Sequence, residues 1–269
     1  MTNTGTTVPA PRGLAFAAAR FRVDRASAIS FIAGIALLYA VFHAVDWKFV
    51  RTLDFHILVE YWQPLARGAA ITLGITASSL AVGLSVGVVI AVLLQLPIGP
   101  LRWLIVAYVE LWRNTPLIVQ LFWVHFGLPV LTGISTTALE SGFLALTLQS
   151  SAYLADIARA GIQAVPRGQW QAARALGLPV WSLWLEVILP QALKIMIPAF
   201  ANLALSFLNG SALLGLLQVG ELMTVAAKIS DYTFKPIEIM TAVGIVYLLL
   251  NLLVARLARW LEIATRIPR

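Results

Sequence analysis

From Gly68 to Leu94 the chain carries 27 residues without one charged side chain. That run exceeds the roughly 20 apolar residues needed to cross a hydrocarbon core of about 30 Å. Lipid offers backbone amides and carbonyls no partner, so a segment inside it must coil into a helix and satisfy itself. Further apolar runs cover residues 27–45, 103–126, 142–157, 195–217 and 237–255. Only 12% of the 269 residues are charged and 60% are hydrophobic, where a soluble domain is about one-quarter charged. The sequence therefore predicts an all-α integral membrane protein with about six transmembrane helices.

Charge gives these crossings a direction. Six of them put both termini on one side. That side collects Arg12, Arg20, Arg22, Arg25, Arg102, Arg159, Arg167, Arg174, Arg256, Arg259, Arg266 and Arg269. The other receives Lys48, Arg51, Arg67, Lys228 and Lys235. The positive-inside rule makes the arginine-rich side cytoplasmic. The net charge of +7 thus faces the anionic headgroups of the lipid bilayer rather than nucleic acid, for which no motif is present. Residues 1–26 read as a basic cytoplasmic tail, 27–63 as a first helix with an outer loop dressed by Trp47, Tyr61 and Trp62, and 263–269 as a second cytoplasmic tail. The run at 27–45 is longer than a signal-peptide core of about 7–15 residues and has no small-x-small cleavage site, so it reads as an uncleaved helix. Small residues in the second run, Gly74, Gly83, Ser85 and Gly87 among them, suit close helix contact in lipid.

One cytoplasmic stretch, "VPRGQWQAARALGLP" at 165–179, has helix punctuation at both ends. Pro166 suits a first turn, Gly177 the left-handed position after a helix, and Pro179 a stop. The helix between them has about ten residues and is marginal alone in water. Ala172 and Ala173 leave one flank with little bulk, open to close approach by another protein. Composition alone also allows an interfacial helix held down by Trp170, Trp181 and Trp184.

The spacing Gln171-Ala172-Ala173, three residues, Gly177, nine residues, Val187-x-Leu189-Pro190 resembles the EAA loop of permease subunits of bacterial ABC importers, with Gln in place of the usual Glu. The stretches "RNTPLIVQLFWVHFGLP", "AYLADIARAGIQAVPRGQ" and "ILPQALKIMIP" are similar to the polar amino acid uptake branch of that family. The resemblance spans residues 64–262. It implies a five-helix permease core preceded here by one extra helix, with a cytoplasmic coupling loop at 161–190. It also implies that Arg167, Gln171, Ala172, Ala173, Arg174, Leu176 and Gly177 face a cytoplasmic ABC ATPase subunit. The ATPase would hold ATP and magnesium, and this chain would bind no cofactor. The remaining implied partners are a periplasmic amino-acid-binding protein and a second permease subunit, in a bacterial inner membrane.

The residues themselves exclude the ATPase role. None of the four lysines follows a glycine, so the Gly-x4-Gly-Lys-Ser/Thr phosphate loop is absent. There is no cysteine and the three histidines are scattered, which leaves no thiolate metal site or disulfide. No catalytic constellation stands out. A second class, a stand-alone carrier driven by an ion gradient, would use broken helices and internal repeats; no convincing repeat is visible.

Charges at mid-membrane are costly and face a cavity or each other. Glu110 and Arg113 share a helical face. Two readings are open: a self-neutralising pair, or Arg113 with Asn114 and Thr115, loosened by Pro116, lining the route of a zwitterionic amino acid. Asp156 and Arg159 read as a packing pair. Asn202, Ser206, Asn209 and Ser211 form a polar stripe that either bonds across helices or lines a passage. Where the family often has a lysine-containing triplet, this chain has Asn209-Gly210-Ser211.

Overall fold

The computed structural model describes residues 25–95 and 98–264; most of the two predicted tails falls outside them. The chain divides into two units, Met1–Leu53 and Asp54–Arg269. In the first, helix α1 (Arg25–Ala44) takes up the first apolar run. A single turn follows at Trp47–Val50, capped by the Asp46 carboxylate, which accepts from the backbone N–H groups of Lys48 and Phe49.

The second unit contains α2 (Trp62–Leu93), α3 (Gly99–Asn114), α4 (Leu117–Thr132), α5 (Ala138–Gln163), α6 (Arg167–Ala175), α7 (Val180–Leu217), α8 (Leu222–Thr233) and α9 (Pro236–Ala264). Among the described residues the all-α class stands. Helices α2, α7 and α9 are each long and apolar enough to cross a membrane, and α3 with α4 forms a further candidate that is bent by 109°.

The third apolar run is therefore not one straight crossing. Pro116 has no N–H and pushes the residue before it out of the α region. Thr115 accordingly lies extended at φ −102°, ψ 140°, and the helix restarts at Leu117. The fifth run differs in the opposite sense. Pro190 does not separate a loop helix from a membrane helix, because α7 is helical from Val180 onward. A wide π turn at Leu183–Ile188 shifts the hydrogen-bond ladder just before the proline and absorbs it. Helix α8 was not foreseen; the buried Glu221 carboxylate starts it by accepting from the N–H groups of Met223 and Thr224.

Helix α5 is innermost and packs against α2, α3, α4 and α7. It opens with a capping box in which Thr137 and Glu140 exchange side-chain and backbone hydrogen bonds, and those bonds hold the Glu140 carboxyl below its usual range. Ile75 and Leu80 of α2, Leu146 and Leu154 of α5, and Phe207 and Leu214 of α7 form the main core. At the start of α9, Lys235 pairs with Asp54 at 2.7 Å, and the Asp54 N–H donates to the Glu238 carboxylate at 3.1 Å.

The small residues of α2 serve the α5 contact. A Cβ at Gly87 would stand 2.8 Å from the Leu154 Cβ and 2.9 Å from the Ser151 carbonyl oxygen, whereas one at Gly74 would meet nothing within 4 Å. Overpacking of this kind costs about 1–3 kcal/mol, equivalent to several degrees in a protein of this size. Gly87→Val is expected to lower the apparent melting temperature in detergent by several degrees while Gly74→Val leaves it unchanged. Equal behaviour of the two would contradict the close approach of α2 and α5.

Candidate functional site

The sequence placed charges on α3, and the structure shows what they meet. Arg113 does not pair with Glu110. Its Nη1 lies 3.1 Å from Oδ2 of Asp156 on α5, while Oδ1 of the same carboxylate takes Nη2 of Arg159 at 2.7 Å. The expected Asp156–Arg159 pair is thus present but shared. Glu110 instead accepts from the side-chain amide of Asn114, one turn on. Spacing along one helix identified a possible partner for Arg113, but the packing of α3 on α5 supplies a nearer carboxylate.

Tyr153, one turn before Asp156, fixes the arginine from a second direction. Its hydroxyl donates to the Arg113 carbonyl at 3.2 Å, and the guanidinium carbon lies 5.6 Å from the centre of its ring. Arg113 and Asp156 are about one-quarter exposed, at 28% and 26%, against 48% for Arg159. A cavity of about 370 Å³ opens beside them, lined by Arg102, Glu110, Asp156, Arg159 and Gln163 among others. It presents guanidinium and carboxylate groups together, the two chemistries a zwitterion needs. Thr115 donates its hydroxyl to the Leu111 carbonyl.

The α7 stripe is split. Asn202, Ser206 and Asn209 are exposed, whereas Ser211 is fully buried and donates to the Leu208 carbonyl. Asn209 accepts from the Asn251 amide of α9 at 2.9 Å, a bond across helices. Ser206 turns back on the Asn202 carbonyl.

The loop after α5 is built as a rigid bracket. Gly177 is left-handed at φ +68°. Its N–H donates to Arg174 and that of Leu178 to Ala173, at 3.0 and 3.2 Å, which is the Schellman closure of α6. The two alanines differ in role. Ala172 is exposed, but Ala173 is buried in a cluster with Val165, Leu183, Ile188 and Ala192. Its small side chain lets α6 lie on the base of α7 and leaves only Ala172 for an outside partner. Trp170 and Trp184 meet edge to face at 5.3 Å, and the Gln191 amide reaches Gln169. Beyond this base project Leu176 at 78% exposure, Val180 at 72% and Trp181 at 74%, flanked by exposed Arg167, Gln171 and Arg174.

The family model of binding-protein-dependent transport system inner membrane components matches residues 83–267. The chain belongs to that family. This permease is 33% identical over 210 residues to the arginine transport system permease protein ArtQ of Bacillus subtilis (strain 168), covering 78% of the chain and 96% of ArtQ. It is 36% identical over 200 residues to the probable glutamine ABC transporter permease protein GlnM of the same organism, covering 74% and 92%. The crystal structure of an amino acid ABC transporter with histidines superposes with a TM-score of 0.74 at 34% identity, over 78% of this chain and 98% of that one. Inward-facing MetNI methionine ABC transporter chains share the fold at a TM-score of 0.67 and 22% identity.

Sequence reasoning missed Asp156 as the partner of Arg113, and Gln120 and Gln149, which converge on the α3 break. In the permease, Asp156→Asn leaves two guanidiniums facing each other, whereas Arg159→Gln leaves the Arg113 pair intact. Loss of one partner of a charged hydrogen bond costs about 1–3 kcal/mol, less where water screens it. Asp156→Asn should therefore lower the apparent melting temperature by a few degrees more than Arg159→Gln. Equal shifts would contradict a carboxylate shared between the two arginines.

Proposed function

We propose that this permease is the membrane-spanning subunit of an ATP-driven importer that carries a polar amino acid across the inner membrane. The observation that carries the reading is the Schellman-closed helix α6, seated on the base of α7, where Leu176 at the end of α6 and Val180 and Trp181 at the start of α7 form one exposed apolar tip. A short amphipathic helix with an exposed apolar tip needs a partner. A separate cytoplasmic ATPase, holding ATP and magnesium, fills that role through residues 166–190. The names of the relatives, which are arginine and glutamine permeases, support the amino acid cargo. Given six crossings, the arginine distribution supports both termini in the cytoplasm. A second permease subunit and an external binding protein complete the assembly.

In this mechanism closure of the ATPase pair pushes on α6. Because Ala173, Leu183 and Ile188 lock α6 to α7, the push reaches the membrane helices as a rigid displacement and biases them between inward-open and outward-open forms. Arg113, Asn114, Thr115, Glu110, Asn202, Asn209 and Ser211 are the pathway candidates. No step in this chain makes or breaks a covalent bond.

Gly177→Val tests the coupling. Left-handed backbone costs an L-residue about 1–2 kcal/mol, and a β-branched one tolerates it least. In vesicles reconstituted with the ATPase and binding protein, the variant is expected to hydrolyse ATP while uptake falls several-fold. Normal uptake by correctly inserted protein would remove Gly177 from the mechanism. Uptake that persists without ATP under a proton or sodium gradient would point to a secondary carrier.

A further inference from the structure

The break between α3 and α4 opens an accounting problem. In an α-helix the carbonyl of residue i accepts from the N–H of residue i+4, so the Trp112 carbonyl should accept from residue 116, which is proline. That acceptor is an orphan, and an unpaired polar backbone group in an apolar interior is expensive. The structure satisfies it from α4. The Gln120 side chain is buried, and its Nε2 donates to the Trp112 carbonyl at 2.8 Å, with the Thr115 carbonyl at 3.1 Å and the Thr115 hydroxyl oxygen at 2.6 Å sharing its second hydrogen. Two of these partners are carbonyls that can only accept, so the amide nitrogen, not the oxygen, must face them.

These contacts bracket Arg113 and Asn114. From α4, Gln120 grips residues 112 and 115; from α5, Tyr153 grips the Arg113 carbonyl and Asp156 its guanidinium. The Oε1 atom of Gln120 is buried without a partner, a cost that an apolar side chain of the same length would avoid. Satisfying the break, rather than packing alone, accounts for an amide here.

We propose that Gln120 is a positioning residue for transport: its side-chain amide staples the Thr115–Pro116 break and so holds Arg113 in the pathway against Asp156. The proposal rests on the reading of Arg113 as part of the route. Gln120→Met keeps length without donors, and Gln120→Glu is isosteric but turns an acceptor toward two carbonyls. The test uses the full importer, with its ATPase and binding protein, in vesicles supplied with radiolabelled arginine and, separately, glutamine, the amino acids named for the similar permeases. Both variants are expected to lose roughly tenfold in uptake rate at normal membrane abundance, the scale of one missing charged or buried hydrogen bond. Gln120→His, whose ring N–H restores one donor, should recover part of the rate.

Coupling to Arg113 separates positioning from general damage. If Gln120 acts through Arg113, the Arg113→Gln, Gln120→Met double variant is no slower than Arg113→Gln alone. Losses that multiply would overturn the proposal, since independent damage is additive in free energy. Gln120→Met with full uptake beside an impaired Arg113→Gln would overturn the staple and spare the pathway reading. Full uptake by Arg113→Gln would overturn both. Should the Met and Glu variants fail to insert, a Gln120→His protein that inserts and transports no faster than vesicles without permease also contradicts the proposal.

Discussion

Inside lipid every backbone carbonyl needs a donor, and the rest of this permease is arranged around the place where that rule is strained. Pro116 cuts the hydrogen-bond ladder of α3 and turns the chain through 109° into α4. Side chains then do what the backbone cannot. Thr115 serves the Leu111 carbonyl, Gln120 that of Trp112, and Tyr153 that of Arg113. Irregular backbone at membrane depth is tolerated where protein covers it, and here the Gln120 side chain that serves the break is itself buried. The break is also where Thr115, Gln120 and Gln149 converge, so one proline accounts for both the bend and the amide cluster.

Two rigid ties join that region to the cytoplasmic loop in the proposed mechanism. Helix α5 runs unbroken from Asp156 to Gln163, about 10 Å at 1.5 Å per residue, and the chain then enters α6 through Pro166. Helix α6 is in turn fixed to α7 by the Val165, Ala173, Leu183 and Ile188 cluster. Displacement of the loop therefore has a stiff route to Asp156 on one side and to the α7 core on the other. The close packing of α2 on α5 at Gly83 and Gly87 carries it further, because helices in such contact shift as bodies rather than bend.

What the sequence made legible follows local rules. Apolar runs marked the long helices, and Gly177 between Leu176 and Pro179 announced the left-handed closure of α6, since both depend on residues within a few positions of one another. Tertiary partners were not legible in the same way. Arg113 had Glu110 at the favourable spacing, and only the approach of α5 brings Asp156 closer. Ala172 and Ala173 read as one smooth flank, but helix rotation buries one and exposes the other. The continuity of α7 through Pro190 was not legible either, because nothing local reveals the π turn at Leu183–Ile188 that lets the helix go on.

The most direct measurement is a photo-crosslink from the exposed tip of the loop. A photoreactive residue in place of Leu176, in inside-out vesicles with the ATPase added, should label that subunit with a yield that changes on ATP binding. Labelling of lipid or of an external protein alone, unaffected by nucleotide, would contradict the account.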